Sequence, residues 1–369
     1  MLRTRANRRR KTRPTELEAL ESRALLTTFT VTSLADTVTD DGQMTLREAI
    51  AAADADDSTN SHHIVFADGL NGTIDLQLGE LDLYTFSLPA LTITGNGRDE
   101  TIIDAQGNSD IFSSPTAPLT LQSMSLHNSA GNGVENTYPY NSLTLEDAVI
   151  TGSGGHGVVN DCNCEGYYYG DLNIRNSVIT GNANRGVVAE GAINVTMADS
   201  EISGNSGGLL FIDDDSFGYF GPNVTIQRSS VVNNVTNEAG GGVRIETAQD
   251  VTIEDSLISS NQGTSGGGIS STYAANLQMS RTTVTGNTAT GDGGGIYVGN
   301  YAQPRLDNVT IAGNVAIRGA GLFVSPASLG RNGRNLSMAN STITGNIASD
   351  AGGGIFFDAK DELLSLIHI

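Results

Sequence analysis

Beginning at Leu119, one eleven-residue pattern of apolar and polar positions returns nine times, with starts at Leu119, Leu143, Leu172, Val195, Val224, Val251, Leu277, Pro304 and Leu336. Position three is always apolar (Leu121, Leu145, Ile174, Met197, Ile226, Ile253, Met279, Leu306, Met338). So is position eight (Leu126, Ile150, Ile179, Ile202, Val231, Ile258, Val284, Ile311, Ile343). Alternation of this kind in short β-branched runs predicts strands, because successive strand side chains point to opposite faces. A third strand follows each glycine run, as at Ile296/Val298, Leu322/Val324 and Ile355/Phe357.

Successive repeats start 23 to 32 residues apart. That leaves no room for the crossover helix of a doubly wound sheet, and a propeller blade needs about 40–45 residues. What remains is an all-β solenoid in which each coil stacks in parallel register on the last. The pattern therefore predicts a single-stranded right-handed parallel β-helix, with about three strands per coil and roughly 11 coils; the hand follows the rule for parallel connections.

Stacking gives the unusual residues a purpose. Position eleven is Asn in seven repeats (Asn182, Asn205, Asn234, Asn261, Asn287, Asn314, Asn346). With coils about 4.8 Å apart, these amides can hydrogen-bond up one column. Asn also tolerates the left-handed backbone of a sharp corner. The recurring triplets "GGGI" mark a second corner, where Ala320 of "GAGLF" indicates that the middle site accepts a methyl.

At the N-terminal side, Thr45 and Glu48 stand at capping-box spacing before the stripe Leu46, Ala49, Ile50, Ala53, which predicts a helix lying across the first coil. The chain divides into a basic leader (1–29), an N-terminal cap with this helix (30–63), the solenoid (64–358) and a non-repeating tail (359–369). The tail breaks the template, which suggests a truncated reading frame with an anchor beyond it.

Charge narrows the partners. Seven Lys/Arg lie in the first 13 residues, so the remainder of a chain of net charge −21 stands at −28. Such a body repels nucleic acid and anionic lipid. No run reaches the apolar length of a membrane span, so a membrane would be met only through an anchor this chain lacks. Cys162 and Cys164, one residue apart, would strain a disulfide and are too few for a structural zinc.

Two motifs carry a family resemblance. "TLREAI", "IVF" and "LTITGNG…TIID" together are similar to the "CSLREAI" N-terminal region of bacterial pectin-lyase-like β-helix proteins, with Met44 in place of the motif's Cys. The "GN…GGGI" repeats look like the polymorphic outer-membrane protein repeat, and "LExRxLL" after the basic start resembles the leader of large bacterial surface proteins. The resemblance implies export to the extracellular space, outer membrane or cell surface, and a fold that hosts adhesins, lyases and hydrolases alike.

Candidate chemistry is sparse. "SGGHG" around His156, "DDD" at Asp213–Asp215 and "RIE" at Arg244–Glu246 echo polygalacturonase-like hydrolases, but in the wrong order and with Glu246 in place of the Lys. His156 is read as an exposed corner residue, and no local break of the repeat by a charged cluster is legible. Asp213, Asp214 and Asp215 form a candidate Ca²⁺ site, although an ordinary acidic loop is the simpler reading; no other cofactor is expected. Most later aromatics share one register ahead of the next coil: Tyr138, Tyr140, Tyr167, Tyr168, Tyr169, Phe217, Tyr219, Phe220, Tyr273 and Tyr301. Aromatic faces beside carboxylates suit sugar rings. The expectation is an adhesin-like, glycan-binding surface solenoid without catalysis; the alternatives are a polysaccharide lyase or glycoside hydrolase of the pectin-lyase-like class, and a plain spacer.

Overall fold

The computed structural model describes residues 27–56, 60–83, 90–113, 117–137, 141–161, 170–190, 194–212, 222–299, 302–325 and 336–358, the side chains of 273–275 excepted. Its strands wind as a right-handed parallel β-helix, and every pairing between neighbouring coils is parallel. The first sheet runs in one unbroken register, Thr27–His62–Leu91–Leu119–Leu143–Leu172–Val195–Val224–Val251–Leu277–Pro304. A second sheet stacks from Gly72–Asp75 to Thr342–Thr344, and a third from Leu81–Asp82 to Ile355–Phe357.

The nine template segments close about eight regular turns, fewer than the roughly 11 coils expected. The earlier turns share the register but not the template. A fourth, narrow sheet was not foreseen. It consists of Gln262–Gly263, Thr288–Ala289, Val315–Arg318 and Ile347–Ala351, between the Asn corner and the glycine corner. Ala289, Ala316 and Ala320 form a small core of their own there.

Positions three and eight fill the interior. They are buried in every template repeat but the last, whose Met338 and Ile343 are half-exposed. Each fully buried Leu, Ile or Val contributes roughly 1.5–3 kcal/mol against conformational entropy. Near the start, helix Leu46–Asp54 buries Leu46, Ala49, Ile50 and Ala53. Its Thr45 hydroxyl accepts from the Glu48 amide at 3.2 Å, and the Glu48 carboxylate accepts from the Thr45 amide at 2.9 Å.

Polar ladders hold the corners. Each Asn side chain donates to the Oδ1 of the Asn one coil on: Asn182 to Asn205 at 2.9 Å, then Asn234, Asn261, Asn287 and Asn314 at 3.0 Å, and Asn346 at 2.9 Å. The same oxygen also accepts the backbone amide of the Asn before it, so each carbonyl is used twice. The left-handed residue at this corner is not the Asn but the one before it, for example Asn233 (φ 58°), Ser260 (φ 57°) and Gly286 (φ 64°). Asn is therefore there for its side chain rather than for its backbone.

A second ladder lies at the first corner. Position five is left-handed in all nine repeats, from Ser123 (φ 54°) to Asn340 (φ 51°). Position six then offers a buried hydroxyl: Ser200 Oγ accepts from Ser177 N at 3.1 Å, Ser229 Oγ from Ser200 N at 3.2 Å and Ser256 Oγ from Ser229 N at 3.2 Å. Each hydroxyl donates to the carbonyl two residues back, at 2.6–2.7 Å for these three serines.

The third glycine of each run is explained by the Asn ladder. A Cβ on Gly268 would stand 2.9 Å from Asn287 Nδ2, and one on Gly295 would stand 3.0 Å from Asn314 Nδ2. The middle position is tighter than Ala320 suggested, because a Cβ on Gly294 would meet the Val315 carbonyl oxygen at 2.4 Å.

Candidate functional site

The middle-glycine column is interrupted on the early coils. Backbone pairing of Gly133 with His156 and of Gly157 with Arg185 puts Asn132, His156 and Arg185 in the register later held by Gly241, Gly267 and Gly294. The glycine column is thus interrupted by a polar cluster, and His156 is half-buried rather than an exposed corner residue.

Each member is fixed by its neighbours. The Asn132 side chain accepts from the His156 amide at 2.9 Å and donates to Glu135 at 2.9 Å. The Arg185 side chain lies over Gly207, where a Cβ would meet its Cγ at 3.0 Å and Nη1 at 3.2 Å. Gly207 has φ 115° and so keeps both the backbone and the space that this Arg requires. Arg185 is only 4% exposed. Its Nη2 donates to Glu238 Oε2 at 2.8 Å, and Arg244 Nη1 donates to the same oxygen at 2.6 Å. Arg244 also pairs with Glu246.

Around these residues lies a groove of about 480 Å³, whose walls include His156, Asn184, Arg185, Ser206, Asn237 and Glu238. Two buried nitrogens at its edge, Arg185 Nη1 and His156 Nδ1, have no hydrogen-bond partner. Burial first, and then the Arg185 charge, hold the His156 pKa below the usual imidazole value, so the ring is neutral at pH 7. The Arg185 hydrogen bond drives Glu238 below the usual carboxylate range, whereas burial pushes the Arg185 guanidinium down from its ordinary value. Both stay charged at neutral pH. The arrangement can hold an anionic or hydroxyl-rich ligand beside a neutral imidazole.

A larger groove of about 680 Å³ follows the first corner. Its cations are already matched, with Arg228 paired to Asp199 through two bonds of 2.7 Å and Arg281 to Asp255 at 2.6 and 2.9 Å. Arg98 pairs with Asp147 too, but both its Nε and its Nη2 donate to the one oxygen Oδ1. These pairs rim the solenoid and place a carboxylate against each of the three guanidiniums. On the third sheet's outer face, Tyr297, Phe323 and Phe356 stack at centroid distances of 5.2 and 5.5 Å, with Arg318 over the last two rings. Stacked along the axis, these rings turn their faces to one another, with Phe323 buried and Tyr297 and Phe356 half-buried.

The sequence-nominated residues divide sharply. Asn182 to Asn346 form the ladder described above. Tyr138, Tyr140, Tyr167, Tyr168, Tyr169, Phe217, Tyr219, Phe220 and Tyr301 lie outside the described residues, as do Asp213, Asp214, Asp215, Cys162 and Cys164. Tyr273 sits on strand Ile269–Ser280 opposite Thr247, but its side chain is outside them as well. The "GHG" and "RIE" fragments are linked only through Arg185 and Glu238: His156 and Arg185 line the same groove, and Glu238 bonds both Arg185 and Arg244. Arg185, Glu238 and Gly207 were missed; the signal for Arg185 was the loss of glycine from a glycine column, and Glu238 and Gly207 carry no such mark.

Stacked parallel coils with corner ladders define a β-solenoid. The sequence matches the family model described as a right-handed beta helix region over residues 90–265 and 222–365, and the chain belongs to that family. No curated protein matches it. Among solved structures it is similar to the A-module of a mannuronan C-5 epimerase from Azotobacter vinelandii, at 16% identity over 86% of this chain and 95% of that one, with a TM-score of 0.46. It is similar to an open-reading-frame product of Geobacillus virus E2 at 10% identity, over 90% of this chain and 62% of that one, with a TM-score of 0.42. A third likeness is to the catalytic domain of an α-1,3-glucanase in complex with nigerose, at 11% identity over 89% and 68%, with a TM-score of 0.41. At such identities and scores, nothing those proteins act on transfers to this chain.

Proposed function

We propose that this chain is a glycan-binding β-solenoid of the extracellular space or cell surface, adhesin-like, which grips a polysaccharide across successive coils. One observation carries the reading: where the repeat should place glycine, it places Asn132, His156 and Arg185, and the last two line a polar groove together with Glu238. A spacer has no use for that break, and burying Arg185 is costly unless the charge serves something. The aromatic edge from Tyr138 to Tyr301 is a second part of the same proposal. The test is retention on a panel of acidic and neutral polysaccharides, comparing wild type with Arg185→Gln/Arg244→Gln. Loss of retention in a folded double variant supports the reading; equal retention, or none by wild type, rejects it.

The alternative is a polysaccharide lyase or glycoside hydrolase. His156 favours it, because a neutral imidazole beside a guanidinium can take a proton while the cation steadies the charge that develops. Incubation with uronans should then release unsaturated or reducing ends, lost in His156→Asn. Product release by wild type would replace the binding reading with this one.

A further inference from the structure

Three features of the Arg185 pocket fit poorly with a purely structural ion pair. A single carboxylate oxygen, Glu238 Oε2, serves both Arg185 at 2.8 Å and Arg244 at 2.6 Å, although a carboxylate has two oxygens and a guanidinium pair could use both. Arg185 is deeply buried, yet its Nη1 has no partner. Glu238, in contrast, is 52% exposed in its side chain. Its main chain is held, since its carbonyl accepts the Thr264 amide at 2.7 Å. The side chain can therefore swing into solvent while the backbone stays in place.

We infer that the Arg185–Arg244 pair is a subsite for the carboxylate of an acidic sugar, occupied in the free protein by the chain's own Glu238 as a displaceable stand-in. This rests on the reading of the same face as glycan-binding, and adds which sugars it takes and how it is gated. A sugar carboxylate entering from the groove replaces one anion by another, so the buried guanidinium is never left unpaired. Its second oxygen is then free for the Arg244 guanidinium, so that the two cations need not share one oxygen as they do with Glu238. A neutral sugar cannot make that exchange, because displacing Glu238 would strand Arg185 at the cost of an uncompensated buried charge. In a body as acidic as this one, a stray anion is repelled unless it meets both guanidiniums at once. Asn184, Ser206 and Asn237 on the walls supply amide and hydroxyl groups for the ring. The result is selectivity for acidic over neutral glycans, set by Glu238. The low pKa of Glu238 agrees with a carboxylate held as the anion throughout the physiological range.

Chemical rescue tests it. Glucuronate and glucose are titrated into wild type and Glu238→Ala by calorimetry, with melting temperature as a second readout. The expected result is glucuronate binding roughly tenfold tighter or better in Glu238→Ala than in wild type, as for a charge-assisted hydrogen bond gained. Glucuronate should also raise the variant's melting temperature, glucose should do neither, and adding Arg185→Gln should remove the gain. Equal glucuronate binding by wild type and variant, a like response to glucose, or a gain that survives Arg185→Gln overturns the subsite. Should Glu238→Ala fail to fold, Glu238→Gln keeps the volume and removes the charge, with the same outcomes. A single sugar acid reads this subsite alone: rescue without polysaccharide retention rejects the extended-glycan reading, and retention without rescue rejects the subsite.

Discussion

A single Asn in the ladder shows how far one residue's influence reaches. Asn261 Oδ1 accepts from Asn234 twice, at 3.0 Å each, while its Nδ2 donates to the Val231 carbonyl at 2.8 Å and to Asn287 at 3.0 Å. Asn261→Ala strands buried groups on both neighbouring coils, each costing about 1–3 kcal/mol. The expected loss is about 3 kcal/mol in urea denaturation, whereas Asn346→Ala, half-buried on the last described coil, should lose about 1 kcal/mol. Equal losses would mean that the ladder is not a continuous column. Gly295→Ala should also destabilise, because its methyl would stand 2.7 Å from the Gly321 carbonyl oxygen in addition to crowding Asn314. At this scale the Asn column was legible because the same residue returns at the same position. Arg185 and His156 were not, because they follow the Asn-equivalent position by three residues, whereas Gly267 follows Asn261 by six. The narrow fourth sheet accounts for the difference, and without it the two alignments do not show that these residues share a column.

Among the elements, the helix and the narrow sheet make opposite cases. Helix Leu46–Asp54 announced itself through a capping box and an apolar stripe, both of which are local. Thr45 is buried and its hydroxyl also donates to the Thr37 carbonyl at 2.8 Å. Thr45→Ala should therefore cost about 1 kcal/mol or somewhat more, read from the melting temperature, while Thr45→Ser should be nearly neutral. The fourth sheet has strands of two to five residues and turns Val315, Ile317 and Ile347 outward. Its pattern imitates a loop, and only pairing with the adjacent coil reveals it. The hydroxyl ladder is intermediate, since position six reads Ser or Thr from Ser177 to Thr282 but matters only once the first corner is known to bring it inside.

For the whole molecule, acid is the informative variable. Burial leads in lowering the pKa of His63, His127 and His156 from the usual 6.5. The unfolded chain thus binds protons that the folded one refuses in the window just below pH 6.5. Stability contributed by the neutral rings is full above that value and is lost as pH falls through the window toward the folded pKa values. Asp36 and Glu238 have pKa values below the ordinary carboxylate range, so their contribution is lost later, as pH falls through those lower values. Melting temperature should fall in two stages on acidification, and His156→Asn should shrink the first stage only. A single fall confined to the carboxylate range would show that the imidazoles are not refusing protons.

Where the coil lengths differ also matters. From the first residue of each template to position eleven the count never changes, while starts drift from 23 to 32 residues apart. All slack is therefore taken up after position eleven, before and after the third-sheet strand. In two turns that strand runs straight into the next first-sheet strand, as Val243–Glu254 and Ile269–Ser280. Guest peptides spliced in after third-sheet strands should be carried without disturbing the stack, whereas a single residue added between positions five and eleven would throw two ladders out of step. The molecule is a rigid spine with variable fringes, and new specificities can be grafted on the fringe while the spine stays the same.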